Sequence, residues 1–162
     1  MVKKEQYYWA LLRIGLGWTF LWAFLDKLWG LGFATLKENS WLAGGSPTSG
    51  FLLHGTKGPL AGVFQMLAGS AFVDWLFMIG LLLLGVSLIL GIGVRVAAYA
   101  GSLLLFMMWL ALLLPANNPF LDEHILYIFA LMGLSLVKAG RVWGLGLWWS
   151  KQKLVKQNPW ME

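Results

Sequence analysis

Residues 7–32, YYWALLRIGLGWTFLWAFLDKLWGLG, form the first long apolar run of the chain. A helix needs about 20 residues, at roughly 1.5 Å each, to cross the hydrocarbon core of a bilayer, so this run is long enough. It nevertheless contains Arg13, Asp26 and Lys27, and charges in such a segment are costly unless they face the protein interior or a polar partner. The run therefore predicts a membrane-spanning helix with one polar face.

The polar face of this segment is a stripe of side chains at helical spacing. Its members are Arg13, Gly17, Phe20, Phe24 and Lys27. Residues at this spacing share one side of a helix, so the stripe is predicted to face the interior of a bundle. Arg13 and Lys27 would lie about 21 Å apart along the axis, too far for one small ligand to contact both. The alternative is that Arg13 reaches the inner headgroups while Asp26 and Lys27 mark the outer interface.

Composition places the whole chain in the membrane class. The 162 residues are 59% hydrophobic and 12% charged, whereas soluble domains average about a quarter charged. The length predicts a single domain over residues 1–162. The absence of cysteine excludes disulfide exchange, thiolate nucleophiles, iron–sulfur ligation and Cys zinc sites, so redox chemistry would need a bound cofactor or reactive substrates. The net charge of +5 fits the positive-inside bias of membrane proteins and does not require nucleic acid.

Four apolar segments predict an all-α integral membrane four-helix bundle. The predicted spans are residues 8–30, 72–91, 94–114 and 121–138. Residues 33–71 are too many for a simple connection between the first two spans. They contain two short amphipathic stretches, residues 33–43 and 58–69, around a glycine-rich centre, which predicts a lid over the outer mouth of the bundle rather than a loose insertion.

The distribution of basic residues predicts the orientation. If the spans alternate, nine of the 12 Lys and Arg residues fall on one side, namely Lys3, Lys4, Arg13, Arg95, Lys138, Arg141, Lys151, Lys153 and Lys156. The positive-inside rule then places both termini in the cytoplasm, with the protein in the cell (inner) membrane. The basic tail, residues 139–162, also carries Trp143, Trp148, Trp149 and Trp160. It is predicted to contact anionic lipid headgroups, and binding to a soluble partner is the alternative. The sequence leaves open whether the protein forms a homo-oligomer.

This topology brings many ionisable residues to one depth on the outer side. They are Asp26, Lys27, His54, Lys57, Asp74, Asp122, Glu123 and His124. Their convergence under a lid predicts an acid/base site, although Asp74, Asp122 and Glu123 could instead complement helix N-termini. His54 and Lys57 lie among glycines that could form an anion-binding nest or an ordinary turn. The two histidines do not share a helix at ligand spacing, so no metal or haem is expected.

Arg13 has no carboxylate within the membrane on its own side of the bundle. Its possible partners are Glu5, Glu162, backbone carbonyls and lipid phosphate. An anionic or carbonyl-bearing ligand could also bind the guanidinium group. A quinone entering from the lipid would find aromatic walls beside it, formed by Trp18, Phe20, Trp22 and Phe24. The alternative is that these rings only pack.

Several of these motifs together resemble a known family. Arg13, Gly17, Phe20, Lys27, Leu28 and Gly30 resemble the opening motif of the DoxX family of small four-helix membrane proteins, with Phe24 where a glycine is common. The chain is similar to the DoxD branch at residues 44–52 (GGSPTSGFL), 54–59 (HGTKGP), 74–95 (DWLFMIGLLLLGVSLILGIGVR) and 117–127 (NNPFLDEHILY).

The resemblance implies a function, because DoxD is a subunit of thiosulfate:quinone oxidoreductase, which oxidises thiosulfate to tetrathionate and reduces membrane quinone. It implies thiosulfate bound near Lys27, His54 and Lys57, with Arg13 as a further ligand contact. Quinone, as co-substrate, would contact Phe20, Trp22 and Phe24. Proton transfer would fall to Asp26, Asp122, Glu123 and His124. It also implies a second oxidoreductase subunit.

Two other functions are open from the sequence. One is a non-enzymatic membrane subunit whose tail anchors or assists a redox partner. The other is a small-solute carrier, which no inverted repeat supports.

Overall fold

A computed structural model of the protein describes residues 3–115 and 118–162. Throughout these ranges the chain is helical or irregular and contains no β-strand. The α-helices are α1 (Lys4–Trp29), α2 (Ala61–Gln65), α3 (Ala71–Leu90), α4 (Val94–Ala111), α5 (Glu123–Leu136), α6 (Gly146–Trp149) and α7 (Lys153–Gln157). The all-α prediction is confirmed.

Helices α1, α3 and α4 are long and apolar enough to cross a membrane, and within the described ranges they are the three that are. They have 26, 20 and 18 residues. Many large apolar side chains on their outer surfaces are exposed, as lipid contact requires, including Leu11, Trp18, Leu76, Leu83 and Leu103. By length and composition, these helices suggest a membrane protein.

The last two helices are shorter than the apolar runs suggested. Helix α4 ends at Ala111 rather than residue 114, and Leu114 has a left-handed φ of 69° that a helix cannot continue through. Helix α5 begins at Glu123 because the Asp122 side chain accepts from the backbone N–H groups of His124 and Ile125 and so caps it. With 14 residues, α5 is shorter than the about 20 of a typical span.

The four long helices pack as two pairs. Helix α1 runs along α3, α4 runs along α5, and contacts between α3 and α4 join the pairs. Glycines allow the close approaches: a Cβ added at Gly85 would lie 2.8 Å from the backbone N of Leu21, and one at Gly101 would lie 2.9 Å from Leu131 Cδ1. The central core is apolar and includes Leu16, Phe20, Leu84, Leu88, Ala98, Leu105, Leu131 and Leu134. Packing of small against large side chains is what holds helices together in lipid.

The long loop between α1 and α3 is folded, not loose. It consists of 3-10 turns at Lys37–Asn39 and Trp41–Ala43, a π-helical turn at Phe51–Gly55 and helix α2. Leu52 and Phe64 pack with Ala111 in a small second core. The predicted amphipathic stretch at residues 33–43 therefore forms short turns, while the one at residues 58–69 contains α2.

Candidate functional site

Arg13 is fully buried, at 0% exposure, at the end of α1 that lies beside the tail. Its Nη1 donates to the carbonyl oxygens of Leu88 and of Ile89, the latter at 2.8 Å. Its Nη2 donates to the carbonyl oxygens of Val142 at 3.3 Å and Trp143 at 2.8 Å. The guanidinium thus binds the last turn of α3 and the tail together.

These bonds complete the C-terminal end of α3. The last four carbonyls of a helix lack partners within it. Ser87 O accepts from Gly91 N at 2.8 Å, Arg13 occupies the next two carbonyls, and Leu90 O accepts from Leu145 N at 2.8 Å. A cation at this end also complements the helix dipole. Of the partners that the sequence left open for Arg13, backbone carbonyls are the ones present, and its predicted contact with substrate stays a prediction.

Lys27 and His54 line one cavity of about 730 Å³ beside the long loop between α1 and α3, which we call the outer loop after its predicted position. We call this cavity the lysine cavity. Its other lining residues are Ala34, Thr35, Leu36, Asn39, Gly45, Ser46, Pro47, Ser49, Gly50, Phe51 and Leu53. Lys27 is half-buried, with Nζ 6.0 Å from the centroid of the Phe77 ring, while His54 is exposed. Among the described lining residues there is no Asp or Glu, so the cavity has a positive wall and no fixed negative charge.

Asp26 shapes this cavity from outside it. Its carboxylate is buried, at 2% exposure, and accepts from Phe33 N at 3.3 Å and Ala34 N at 3.0 Å. Its backbone carbonyl accepts from Gly30 N at 2.7 Å, and Gly30 adopts a left-handed φ of 66°. The chain therefore turns sharply after α1 and returns over Lys27. The catalytic part predicted for Asp26 stays a prediction, whereas its bonds to the loop are present.

Asp74 holds the opposite side of the loop. It is buried, at 7% exposure, and its Oδ1 accepts from Ser46 Oγ at 2.9 Å, from Thr48 N at 3.3 Å and from Thr48 Oγ1. Ser49 Oγ donates to Ser46 Oγ at 2.7 Å. This polar cluster fastens the glycine-rich centre of the loop to the first turn of α3.

Lys57 lies away from Lys27, in a separate cavity of about 210 Å³ with Asp122 and Glu123. Its backbone N donates to Ala111 O at 2.9 Å, which fixes this part of the loop to the end of α4. His124 is buried, with Nδ1 2.8 Å from Asp122 Oδ2. The eight residues expected to converge are thus divided among the lysine cavity, the cavity at Lys57, a further cavity lined by Asp74, and buried positions beside them.

The Asp122, Glu123 and His124 side chains offer ligand atoms within 4.8 Å of one another, an arrangement that could hold a metal ion. Asp122 already uses both oxygens, one to cap α5 and one to contact His124. The helix-capping alternative read from the sequence is therefore present for Asp122.

The aromatic residues predicted to contact quinone have three different surroundings. Phe20 is buried in the central core, and Phe24 packs partly buried against it. Trp22 lies further out, with its ring centroid 5.0 Å from Phe33 and 5.8 Å from Trp18. An accessible aromatic surface on α1 is therefore formed by Trp18 and Trp22, while Phe20 belongs to the core.

The tail folds back onto the end of the helices that Arg13 occupies. Glu162 accepts from Lys138 Nζ at 2.7 Å and from Arg141 Nε at 2.9 Å, and Trp149 Nε1 donates to Met161 O at 2.8 Å. Burial opposes ionisation of Glu162, but the hydrogen bonds and charges of Lys138 and Arg141 outweigh it, so the pKa of Glu162 is lowered. Exposed residues of this surface include Trp143, Trp148, Lys151, Lys153 and Trp160.

The fold and cavities define a class: a helical protein whose residues 3–115 and 118–162 include three helices of membrane-spanning character and a partly open, lysine-lined cavity at one end. Comparison of the chain with family models, curated proteins and solved structures found no match. The sequence reasoning missed the Ser46–Thr48–Asp74 cluster and the residues beside it as parts of a site. A signal was available, since an acid in an apolar helix needs donors and the nearest hydroxyl-rich stretch is residues 46–49.

Proposed function

We propose that this protein is an integral four-helix membrane protein of the cell membrane, with cytoplasmic termini, whose lysine cavity binds a small anion on the outer side. We further propose that the anion is thiosulfate and that the protein is a subunit of a quinone-linked oxidoreductase. The observation that carries the proposal is that Lys27 and His54 line one cavity under the folded outer loop. The resemblance to the DoxD branch supports the choice of substrate.

The chemistry of the cavity suits a small divalent oxyanion. Lys27 supplies a positive charge that forms no ion pair with any residue in the described ranges. An anionic ligand would therefore be its ion-pair partner. Thr35 offers a hydroxyl group and His54 offers a ring N–H, whereas the hydroxyl hydrogens of Ser46 and Ser49 are already donated to Asp74 and Ser46, respectively. Lys27 is half-buried, and its partial desolvation strengthens its contact with an anion relative to an open surface.

The proposed reaction balances without a thiol on the protein. Two thiosulfate ions lose one electron each and form a sulfur–sulfur bond, which gives tetrathionate. One quinone takes up both electrons and two protons to become quinol. Trp18 and Trp22 offer aromatic surface for the quinone ring, and Asp122, Glu123 and His124 are candidates for proton delivery. The second subunit implied by the resemblance would complete the electron path.

A binding experiment tests the proposal first. Isothermal titration of thiosulfate into the purified protein should show saturable binding. Lys27→Ala should weaken it at least about tenfold, because a charged hydrogen bond contributes about 1.5–3 kcal/mol. Lys37→Ala is the matched control, since Lys37 is an exposed lysine of the same loop that does not line the cavity. Absence of binding to the parent protein, or equal loss in both variants, would refute the anion site.

A turnover experiment tests the reaction separately. The protein, alone and with membrane extract supplying a partner subunit, is mixed with thiosulfate and a short-chain quinone, and quinone absorbance is followed. Turnover that Lys27→Ala abolishes and Lys37→Ala retains supports the oxidoreductase. Anion binding without turnover under either condition would contradict the oxidoreductase and leave a binding protein.

A second function rests on a different surface. Exposed aromatic and basic residues lie together on the tail, among them Trp148, Lys153 and Trp160. Such a surface suits either anionic headgroups or an acidic soluble partner, so the chain could anchor a redox partner without reacting itself. Co-purification of a soluble protein that Lys151→Glu and Lys153→Glu release would favour this function.

A further inference from the structure

Asp74 lines a cavity next to the lysine cavity, between the outer loop and the start of α3. We call it the second cavity; it is distinct from the cavity at Lys57. It measures about 280 Å³ and is lined by Trp41, Gly44, Gly45, Ser46, Gly69, Ala71, Asp74 and Trp75. Its one ionisable lining residue among those described is Asp74, so its charge is opposite to that of the lysine cavity. The small residues leave space without contributing bulk.

Two tryptophan rings form a corner of this cavity. The ring centroids of Trp41 and Trp75 are 4.6 Å apart and their planes are inclined at 73°. Nearly perpendicular indole rings in one wall resemble part of an aromatic cage, the arrangement that attracts alkylammonium groups through the negative ring faces. Tryptophan is the most effective of the aromatic residues in this interaction.

The Asp74 carboxylate has one oxygen left for a ligand. Within residues 3–115 and 118–162, the hydrogen bonds to this carboxylate all end on Oδ1, from Ser46 and Thr48. Oδ2 has no such partner, although the residue is more than nine-tenths buried. A carboxylate oxygen without a protein partner, on a mostly buried side chain beside a cavity and two tryptophans, is a strong acceptor for a positively charged group.

We propose that the second cavity, formed by Asp74, Trp41 and Trp75, binds an organic ammonium group. Asp74 supplies the charge, the rings supply cation–π attraction, and the glycines allow a methylated head to enter. A volume of about 280 Å³ accommodates a group the size of tetramethylammonium with one attached chain. This proposal does not rest on the anion and redox proposals above.

The ammonium group could come from two sources that share this chemistry. One is the headgroup of a phospholipid such as phosphatidylethanolamine, since tryptophans at this depth commonly lie at the headgroup level. The other is a free small molecule such as choline. Both would place a cationic nitrogen against Asp74.

Titration calorimetry with choline tests the site, on protein in a maltoside detergent and a sodium phosphate buffer free of amines. Choline should bind saturably, and its neutral isostere 3,3-dimethylbutan-1-ol should bind at least about tenfold more weakly, because it lacks the charge. Repeating the titration in nanodiscs separates the sources. Weaker choline binding in phosphatidylethanolamine than in phosphatidylglycerol supports the lipid headgroup, and equal binding supports the free ammonium compound.

Variants locate the site. Trp75→Leu removes one ring and leaves the bonds of Asp74 to the loop in place, and Asp74→Asn removes the charge while keeping an oxygen acceptor. Each should weaken choline binding at least about tenfold. Glu38→Gln, at an exposed acid of the same loop, should leave it unchanged. No saturable choline binding by the parent protein, equal binding of the isostere, or full binding in both Trp75→Leu and Asp74→Asn would overturn the proposal.

Discussion

Helix α1 carries a cation towards each end, and their surroundings differ. Arg13 is fully buried and donates to four carbonyl oxygens from two other segments. Lys27 is half-buried, faces a cavity of about 730 Å³ and forms no ion pair in the ranges that the structure covers. In the same apolar helix, Arg13 therefore binds backbone carbonyls, whereas Lys27 lines a cavity.

Particular glycines of the two ends differ in how much room surrounds them. Near Arg13, a Cβ added at Gly144 would lie 2.6 Å from Gly140 O and 3.0 Å from Arg13 Nη2. In the outer loop, Gly44, Gly50 and Gly62 have nothing within 4 Å of such an atom, whereas a Cβ added at Gly45 would clash with the backbone oxygen of Asn39. The Arg13 end is closely packed around a guanidinium that binds four carbonyls, and the outer loop combines closely packed turns with open positions. The comparison of Arg13 with Lys27 shows that a charged side chain in a spanning helix indicates a ligand only where no protein group accepts its hydrogen bonds.

Arg13→Ala should produce the largest loss of stability. It leaves the carbonyls of Leu88, Ile89, Val142 and Trp143 without their donor, and a buried polar group without its partner is costly. The free energy of unfolding in detergent should fall by about 3–5 kcal/mol. Lys27→Ala should lower it by less than about 1 kcal/mol. Equal effects of the two changes would break the comparison between the ends.

Gly144→Ala should produce the next largest effect. Its Cβ would press on backbone at the Arg13 end, and overpacking of this kind costs about 1–3 kcal/mol. Gly62→Ala, in α2 of the outer loop, meets no neighbour and should be neutral or stabilise by up to about 1 kcal/mol. Thermal unfolding of the two variants measures the difference. Equal melting temperatures would show that the two ends tolerate bulk alike.

Glu162→Gln should produce the smallest effect, and one that depends on pH. The pKa of Glu162 is lowered in the folded protein, so its stabilising contribution is complete above the unfolded value of about 4.3 and is lost as pH falls through the folded value. Its partners are partly exposed, so the contribution should stay below about 1 kcal/mol. The melting temperatures of parent and variant should differ at pH 7 and converge on acidification. A gap independent of pH would contradict this role.

Much of the fold follows from sequence patterns that depend on local physics. Apolar runs near residues 8–30, 72–91 and 94–114 each contain a long helix, because helix length and hydropathy are properties of the segment itself. The end of α4 at Ala111 and the N-cap at Asp122 shift the limits of the last two helices.

The site was less accessible from sequence. Positive-inside counting brought Lys27 and His54 to the same side, and they line one cavity. It could not separate Lys57 from them, because the bond from Lys57 N to Ala111 O depends on how the loop folds. Backbone carbonyls were among the partners that the sequence left open for Arg13, but which carbonyls it binds depends on how α3 and the tail pack.

Ser46 lies in the walls of both the lysine cavity and the second cavity. Its hydroxyl group accepts a hydrogen bond from Ser49 and donates one to Asp74. A thin partition of this kind makes an anion on one side and a cation on the other electrostatic neighbours. Each would then tighten the binding of its opposite by the same factor, because coupling between two sites is reciprocal. The two sites of the outer loop would then bind cooperatively, and the state with both ligands bound would be favoured.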